Sequence, residues 1–377
     1  MSIFLVFLLI IYAVLLLWLV YGFFKGKKKE FVSGSLLPKT KFTIIIPFRN
    51  EAENLPTLLL SLSKIHYLKD YFEILFVDDA SEDPSKKLIH TFFKKQLLFD
   101  FQVLENKRAS GSPKKDAITT AISIAKYEWI LTTDADCKVP SLWLEAFDVY
   151  IQQNRPKFVA GPVLVTTNIF NFLSAYQVLE SISLAGFTIG SFGMNKPIMC
   201  NGANLAYQKD AFYQVKGFDG NNHIASGDDL FLLEKMKIRF PNKIGFLKSK
   251  EAIVTTKTES TLTSTINQRV RWAAKSVGYK SVFSKLVGLF ILLINVTLVV
   301  AFFSLFYVEN WWLIVSLIVL KFLLDEFFIF QINRFFRIEI PWTYFWIIAF
   351  IYPFATLFIS WKAFFGNYIW KGRAFKK

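Results

Sequence analysis

The sequence predicts a mostly parallel α/β domain flanked by membrane-spanning helices, and three observations carry that reading. Between Lys41 and Lys250, short apolar runs that end in polar residues alternate with stretches of helical spacing, the pattern of strands joined by crossover helices. Uncharged stretches of about 20 residues, long enough to cross a bilayer, lie outside that region. The 377 residues are 53% hydrophobic and 18% aromatic, with a mean hydropathy of +0.37, too apolar for an ordinary soluble enzyme.

Ile3–Phe24 has no charge and is followed by Lys25, Lys27, Lys28 and Lys29. A cleaved signal peptide carries its positive charge before the apolar run, so this is expected to be a retained anchor, with its lysines in the cytoplasm. A linker over Ser33–Lys41 leads to strands at Phe42–Pro47, Phe72–Asp78, Phe101–Leu104 and Trp129–Leu131, with helices over Asn54–Lys64, Pro84–Lys95 and Lys115–Lys126. Lys157–Val165 reads as one further strand. Asn171–Ser191 is apolar, suiting a helix under the site or near the membrane. Cys200–Tyr207 is a Gly/Asn-rich loop entering a strand, and Lys209–Phe218 a short helix and turn. A helix follows Gly227 over Phe231–Ile238, and another covers Thr261–Tyr279. Leu286–Val308, Trp311–Asn333 and Trp342–Trp361 are candidate spans. The second contains Lys321, Asp325 and Glu326, with Lys321 and Asp325 spaced to pair; the third contains Pro353 and leaves room for a re-entrant segment.

The formal charge of +15 admits nucleic acid, anionic lipid or a phosphorylated substrate. Much of it sits beside apolar segments, in Lys25–Lys29 and Lys371–Lys377, which points to the membrane surface. A nucleic-acid binder interleaves basic and aromatic residues across its globular domain; here carboxylates crowd the predicted sheet edge, so no nucleic-acid partner is expected. Two cysteines and three scattered histidines exclude a zinc site or a histidine triad, leaving carboxylates as the candidate general base.

Those carboxylates follow a pattern. Ligands of open α/β sheets sit beyond the carboxyl ends of the strands, and three predicted strands end in Arg49/Glu51, Asp78/Asp79 and Asp134/Asp136. Each pair alone is an ordinary turn signal; together they suit a nucleotide-type site. Asp134 and Asp136 are two apart and share one side of extended backbone, so both can meet one hard cation, Mg²⁺ or Mn²⁺. Asp228 and Asp229 open a helix, where they serve as an N-cap or as an ionised carboxylate ready to accept a proton. Gln268, Arg271 and Trp272 share one helix face. That face is either interfacial or one that holds an anionic phosphate by Arg and packs a sugar or base on Trp.

The ordered motifs resemble the membrane-anchored members of the family-2 glycosyltransferases. They are IIIPFRNEAENL at Ile44–Leu55, FVDDASED at Phe76–Asp83, SPKKDAI at Ser112–Ile118, TTDADC, CNGANLAYQKDAF at Cys200–Phe212, SGDDLFLL at Ser226–Leu233 and QRVRW. The resemblance implies a GT-A type fold, Rossmann-like, and a nucleotide-sugar donor, most often a UDP-sugar. It implies that Glu51 and Asp79 contact the nucleoside with Asp78 beside them, and that Lys114 reaches the nucleotide. Asp134 and Asp136 are then the D-x-D holding metal and diphosphate, Asp229 the catalytic base, and Gln268, Arg271 and Trp272 the Q-x-x-R-W motif. Two departures keep alternatives open. Asp228-Asp229 stands where Glu-Asp is usual, leaving Asp228 as a second candidate base. Ser112-Pro113 separates Gly111 from the lysines, leaving Lys115 beside Lys114.

The expected organisation is an anchor over 1–29, a glycosyltransferase domain over 41–260, an amphipathic interface helix over 261–283 and a C-terminal transmembrane region over 284–377. The expected activity is inverting sugar transfer to a lipid or a growing polysaccharide. An inactive membrane scaffold of the same fold is the alternative.

Overall fold

The computed structural model describes residues 2–25, 33–95, 99–224, 226–278, 280–366, 368–370 and 373–375. Lys27–Lys29, Tyr279, Lys371, Lys376 and Lys377, on which expectations above rest, lie outside the described residues. The chain forms two compact units. One comprises Met1–Gly26, Val165–Ile198 and Thr258–Lys377; the other comprises Lys27–Leu164 and Met199–Lys257. The segment 165–198, inside the expected 41–260 domain, therefore groups with the terminal helices.

Along the chain, α1 (Ser2–Lys25) is followed by β1 (Phe42–Phe48), α2 (Leu55–Leu62), β2 (Phe72–Asp78), α3 (Ser85–Lys95), β3 (Asp100–Glu105), α4 (Pro113–Ile124) and β4 (Trp129–Thr132). Next come β5 (Cys137–Lys138), α5 (Trp143–Asn154), β6 (Phe158–Ala160), β7 (Val163–Thr166) and α6 (Phe172–Gly193). β8 (Leu205–Gln208), α7 (Lys209–Gln214), α8 (Asp228–Arg239), β9 (Ile244–Phe246) and β10 (Val254–Lys257) follow. The last helices are α9 (Leu262–Ala274), α10 (Val282–Ser304), α11 (Trp311–Phe336) and α12 (Trp342–Phe365).

In the α/β unit, the sheet order is β3-β2-β1-β4-β8-β6-β9. β1 pairs in parallel with β2 and β4, β2 with β3, and β6 with β9, while β8 runs antiparallel to β4 and β6. Every residue of β2 and β4 is buried, as expected of strands covered on both faces. Ile44, Ile46, Phe76, Leu131, Trp143 and Phe147 are among the core residues. Chain order runs from β1 outward to β3 and then returns to the other side of β1, so the switch point lies between β1 and β4, where such sheets bind ligands.

The expected single strand over Lys157–Val165 is two strands, and the reason lies at Gly161-Pro162. Pro162 has no amide proton to continue a ladder. Gly161 N–H donates to the Asn204 carbonyl at 2.8 Å, and Asn204 Nδ2 donates to the carbonyls of Pro162 at 2.9 Å and Ala252 at 2.7 Å. Buried Asn204 also accepts from Trp143 Nε1 at 2.9 Å, so one side chain ends β6 and ties the break to three segments.

In the helical unit, α1, α6, α10 and α12 contain stretches long and apolar enough to cross a membrane: Ile3–Lys25, Phe172–Gly193, Val282–Ser304 and Trp342–Phe365. α12 runs unbroken through Pro353. The expected span Trp311–Asn333 is helical within α11, but Lys321, Asp325 and Glu326 place it outside that set. Lys321 is 3% exposed, donates to Asp325 at 2.6 Å and faces the Tyr12 and Tyr352 rings. Tyr12 donates to Asp325 at 2.5 Å. These charges turn toward neighbouring helices, as charges among apolar helices do. α1 and α6 approach through small residues: a Cβ on Gly22, Gly190 or Gly193 would collide with the backbone of the facing helix, the close packing that glycine permits between apolar helices.

Candidate functional site

The site is built where the strand order of the α/β unit reverses, between β1 and β4. The β1–β2 and β2–β3 ladders continue past the strands, with Asp79 N–H donating to the Phe48 carbonyl at 2.9 Å and Asn106 N–H to the Asp78 carbonyl at 2.9 Å. These bonds hold the two aspartates differently. Asp78, 1% exposed, accepts from Ser81 N–H at 3.0 Å and lies 3.3 Å from Lys86 Nζ, so it braces the turn. The Asp79 carboxylate accepts from Asn106 Nδ2 at 2.7 Å and from Arg108 Nη1 at 3.1 Å. Glu51 follows β1, its carboxylate taking Asn54 Nδ2 at 2.8 Å and its N–H donating to Ser85 at 2.9 Å. Glu51 and Asp79 thus stand beyond adjacent strands.

On the other side of the switch point, β4 ends at Thr132, whose hydroxyl donates to the Gly202 carbonyl at 2.6 Å. That bond brings the 3₁₀ turn Gly202–Asn204 beside Asp134. The same turn receives the start of α8. A Cβ on Gly202 would lie 2.7 Å from Asp228 Oδ2, so only glycine allows this approach. Gly227 caps α8 with φ +84°, the left-handed backbone that glycine adopts without strain.

The result is one cation among three carboxylates. Lys114 Nζ lies 2.6 Å from Asp134 Oδ1 and 3.3 Å from Asp228 Oδ2. Burial alone would lower the Lys114 pKa, but Asp134, Asp228 and Asp229 outweigh it and hold the ammonium above the usual lysine range. Asp229 is turned differently: its carboxylate accepts from Gly202 N–H at 3.3 Å and Leu230 N–H at 2.7 Å. Lys115 points elsewhere, 1% exposed, donating to the carbonyls of Asn221 at 2.7 Å and Ile224 at 2.9 Å. Of the two expected lysines, Lys114 faces the carboxylates and Lys115 braces the 221–224 loop.

Asp136 is exposed and Asp134 partly so. Among the described residues, no three His, Cys, Asp or Glu side chains form a metal cluster. The two carboxylates nevertheless fit a hard cation, which Mg²⁺-type sites hold with one or two carboxylates plus phosphate and water, and the Lys114 ammonium already occupies a position against one of them. Cys137 follows Asp136 directly at the start of β5 and is buried; burial first, then Asp136 and Asp134, pushes its thiol well up.

The motif helix α9 belongs to the helical unit and is capped by Thr261, which accepts from Ser264 N–H at 3.1 Å. Gln268 Nε2 donates to Glu259 at 2.9 Å. Arg271 and Trp272 are half-buried. Sequence reasoning did not single out Arg108, Asn106, Gly202 or Arg269. Only Arg108 carried a signal, as a cation opening the Gly/Ser/Pro loop before Lys114.

Residues 43–215 match the family model described as Glycosyl transferase family 2. The match includes Glu51, Asp78, Asp79, Lys114, Asp134 and Asp136; Asp228, Asp229 and the α9 motif lie beyond it. The chain is 25% identical over 195 residues to "Glycosyltransferase AglE" of Haloferax volcanii, covering 50% of this chain and 58% of that protein. It is 31% identical over 115 residues to the "Poly(ribitol-phosphate) beta-N-acetylglucosaminyltransferase TarS" of Staphylococcus aureus, covering 30% of this chain and 19% of that protein. Among solved structures, the mannosyltransferase PcManGT from Pyrobaculum calidifontis, in complex with GDP-Man and Mn²⁺, aligns with a TM-score of 0.58 at 14% identity, over 97% of this chain and 99% of that one. That likeness shows the fold, a GT-A type α/β domain with accompanying helices.

Proposed function

We propose that this chain, a member of glycosyl transferase family 2 by its residues 43–215, is a membrane-bound inverting glycosyltransferase that takes a sugar from a nucleotide-sugar donor. The observation that carries the reading is the Lys114, Asp134, Asp228 and Asp229 cluster beside the switch point of the sheet. Carboxylates converging on one ammonium at the ligand edge of such a sheet suit a bound cation and a proton acceptor.

Glu51 and Asp79 hold the nucleoside, and Arg108 and Asn106 orient Asp79 for that contact. Asp134 and Asp136 would hold a divalent cation, Mg²⁺ or Mn²⁺, which when bound neutralises the diphosphate. Lys114, paired with Asp134 and Asp228, supplies positive charge toward the same leaving group. Asp229 accepts the proton of an acceptor hydroxyl as that oxygen bonds to the anomeric carbon and the carbon–phosphate oxygen bond breaks. One displacement inverts the configuration, and the nucleoside diphosphate leaves with the bonding pair. Asp228 holds Lys114 in place. Gln268, Arg271 and Trp272 join the donor and acceptor set on the strength of the motif.

The donor is most simply a UDP-sugar, and the acceptor a lipid or oligosaccharide presented at the bilayer, with the α/β unit on the cytoplasmic side. The chain spans 58% of its Haloferax relative and 19% of its Staphylococcus relative, so donor and acceptor are assigned here by chemistry alone. The test incubates the purified full chain with a panel of nucleotide sugars, Mg²⁺ or Mn²⁺ and a membrane-lipid extract, and measures nucleotide release. Release from one donor, stimulated by lipid, supports the reading. No release from any donor overturns it in favour of an inactive scaffold.

A further inference from the structure

The motif on α9 reads Gln268-Arg269-Val270-Arg271-Trp272, and Arg269 occupies a position the motif leaves unspecified. It nevertheless bridges several groups. The side chain is 4% exposed. Its Nε donates to Glu180 Oε2 on α6 at 2.5 Å. One Nη donates to Gln268 Oε1, and the guanidinium lies over the Trp272 ring, 4.4 Å from its centroid. Only a planar guanidinium can serve a carboxylate, an amide oxygen and an aromatic face together; an ammonium is a single point charge.

These contacts fix the motif. With its oxygen held by Arg269 and its nitrogen by Glu259, the Gln268 amide has one orientation. Glu259 is held in turn: its N–H donates to Gln177 Oε1 at 2.8 Å and its carbonyl accepts from Gln177 Nε2 at 3.1 Å. Gln177 and Glu180 share a face of α6 at i and i+3, so both anchors come from one helix. A buried Arg–Glu pair adds little net stability against an apolar replacement. Orientation of the residues it touches is therefore the stronger account of its presence.

We propose that Arg269, charge-balanced by Glu180, is a positioning residue that sets the orientation of Gln268 and Trp272 for sugar transfer. This rests on the glycosyltransferase reading. The test uses the purified full chain and the variants Arg269→Lys, Glu180→Gln, Trp272→Ala and Arg269→Lys/Trp272→Ala. Misplacement of a positioning group costs up to about 10²-fold. Turnover in Arg269→Lys should fall between about tenfold and that limit, with the donor KM changed much less than turnover, because on the proposed reading Glu51, Asp79 and the Asp134/Asp136 pair keep their donor contacts. In the Trp272→Ala background the same change should cost much less, since its target is gone. An equal loss in both backgrounds assigns Arg269 a general structural role and overturns the proposal.

A second readout needs no activity. With fluorotryptophan incorporated, the Trp272 resonance, assigned by its loss in Trp272→Phe, should shift in Arg269→Lys. An unmoved resonance overturns the positioning role even if turnover falls. If wild type turns over no donor, the functional reading fails and the resonance alone judges the pair. If Arg269→Lys does not fold, Glu180→Gln takes its place under the same criteria.

Discussion

The two units handle buried charge in opposite ways. In the helical unit, two buried cations each face one carboxylate: Arg269 with Glu180, and Lys321 with Asp325. In the α/β unit, one ammonium, Lys114, stands among Asp134, Asp228 and Asp229. The α/β cluster instead gathers three carboxylates around one ammonium at the ligand edge of a sheet, an arrangement that suits binding or transferring charge.

The largest test of the contrast removes the proposed proton acceptor. Asp229→Asn keeps size and loses basicity, so turnover should drop about 10²–10⁴-fold while donor binding, measured by calorimetry, survives. If Asp228→Asn is the inactive variant and Asp229→Asn is not, the roles of the two carboxylates are exchanged. Next, Asp136→Ala should lower turnover about 10²–10³-fold, the scale of one electrostatic stabiliser, and a chelator should abolish wild-type activity until Mg²⁺ or Mn²⁺ is restored. Full Asp136→Ala activity in chelator would remove the cation from the scheme.

The matched side of the comparison is broken at Lys321. Lys321→Met strands Asp325 and should destabilise the helical unit by about 3–5 kcal/mol, seen as a lower melting temperature in detergent. Lys321→Met/Asp325→Leu should recover most of that loss, because an apolar pair replaces a matched ionic one. A double variant as unstable as the single would mean the pair does more than balance charge. The smallest effect is at Lys114. Lys114→Met should tighten Mn²⁺ binding without donor about tenfold, the order of one charge-assisted bond. Weaker Mn²⁺ binding would show that Lys114 helps the cation rather than standing in for it. The folded pKa of Lys114 is raised, so its stabilisation is complete below the unfolded lysine value of about 10.4 and fades only as pH rises through the folded value. The stability difference between wild type and Lys114→Met should therefore be flat between about pH 6 and 9.

Strand ends were the most legible feature of the sequence. Apolar runs closing on Glu51, Asp79 and Asp134 carry strand and site in the same few letters, and β1, β2 and β4 lie where those runs lie. Lys157–Val165 misled because it is uncharged from Phe158 onward, and the break depends on Asn204, a distant side chain. The choice between Lys114 and Lys115 was closed to sequence because adjacent helix positions differ only in direction. Arg269 was missed for a related reason: a charge inside an amphipathic helix reads as surface until its partner, Glu180, is known. α11 shows the reverse case, where Lys321 and Asp325, four apart, announced their pairing in the sequence.

The glycine contact between α1 and α6 has a consequence for how the protein is made. About 170 residues separate Gly22 from Gly190, so at about 5–20 residues per second α1 waits roughly ten to thirty seconds for the surface it packs against. Through that interval the ribosome delivers most of the first α/β segment, Lys27–Leu164, which is itself incomplete until Met199–Lys257 follows. Each unit is thus left open by the other's synthesis, and neither can be cut out of the gene as one continuous piece. A bulky side chain at Gly190 would therefore act late in biogenesis, leaving α1 already inserted but without its partner.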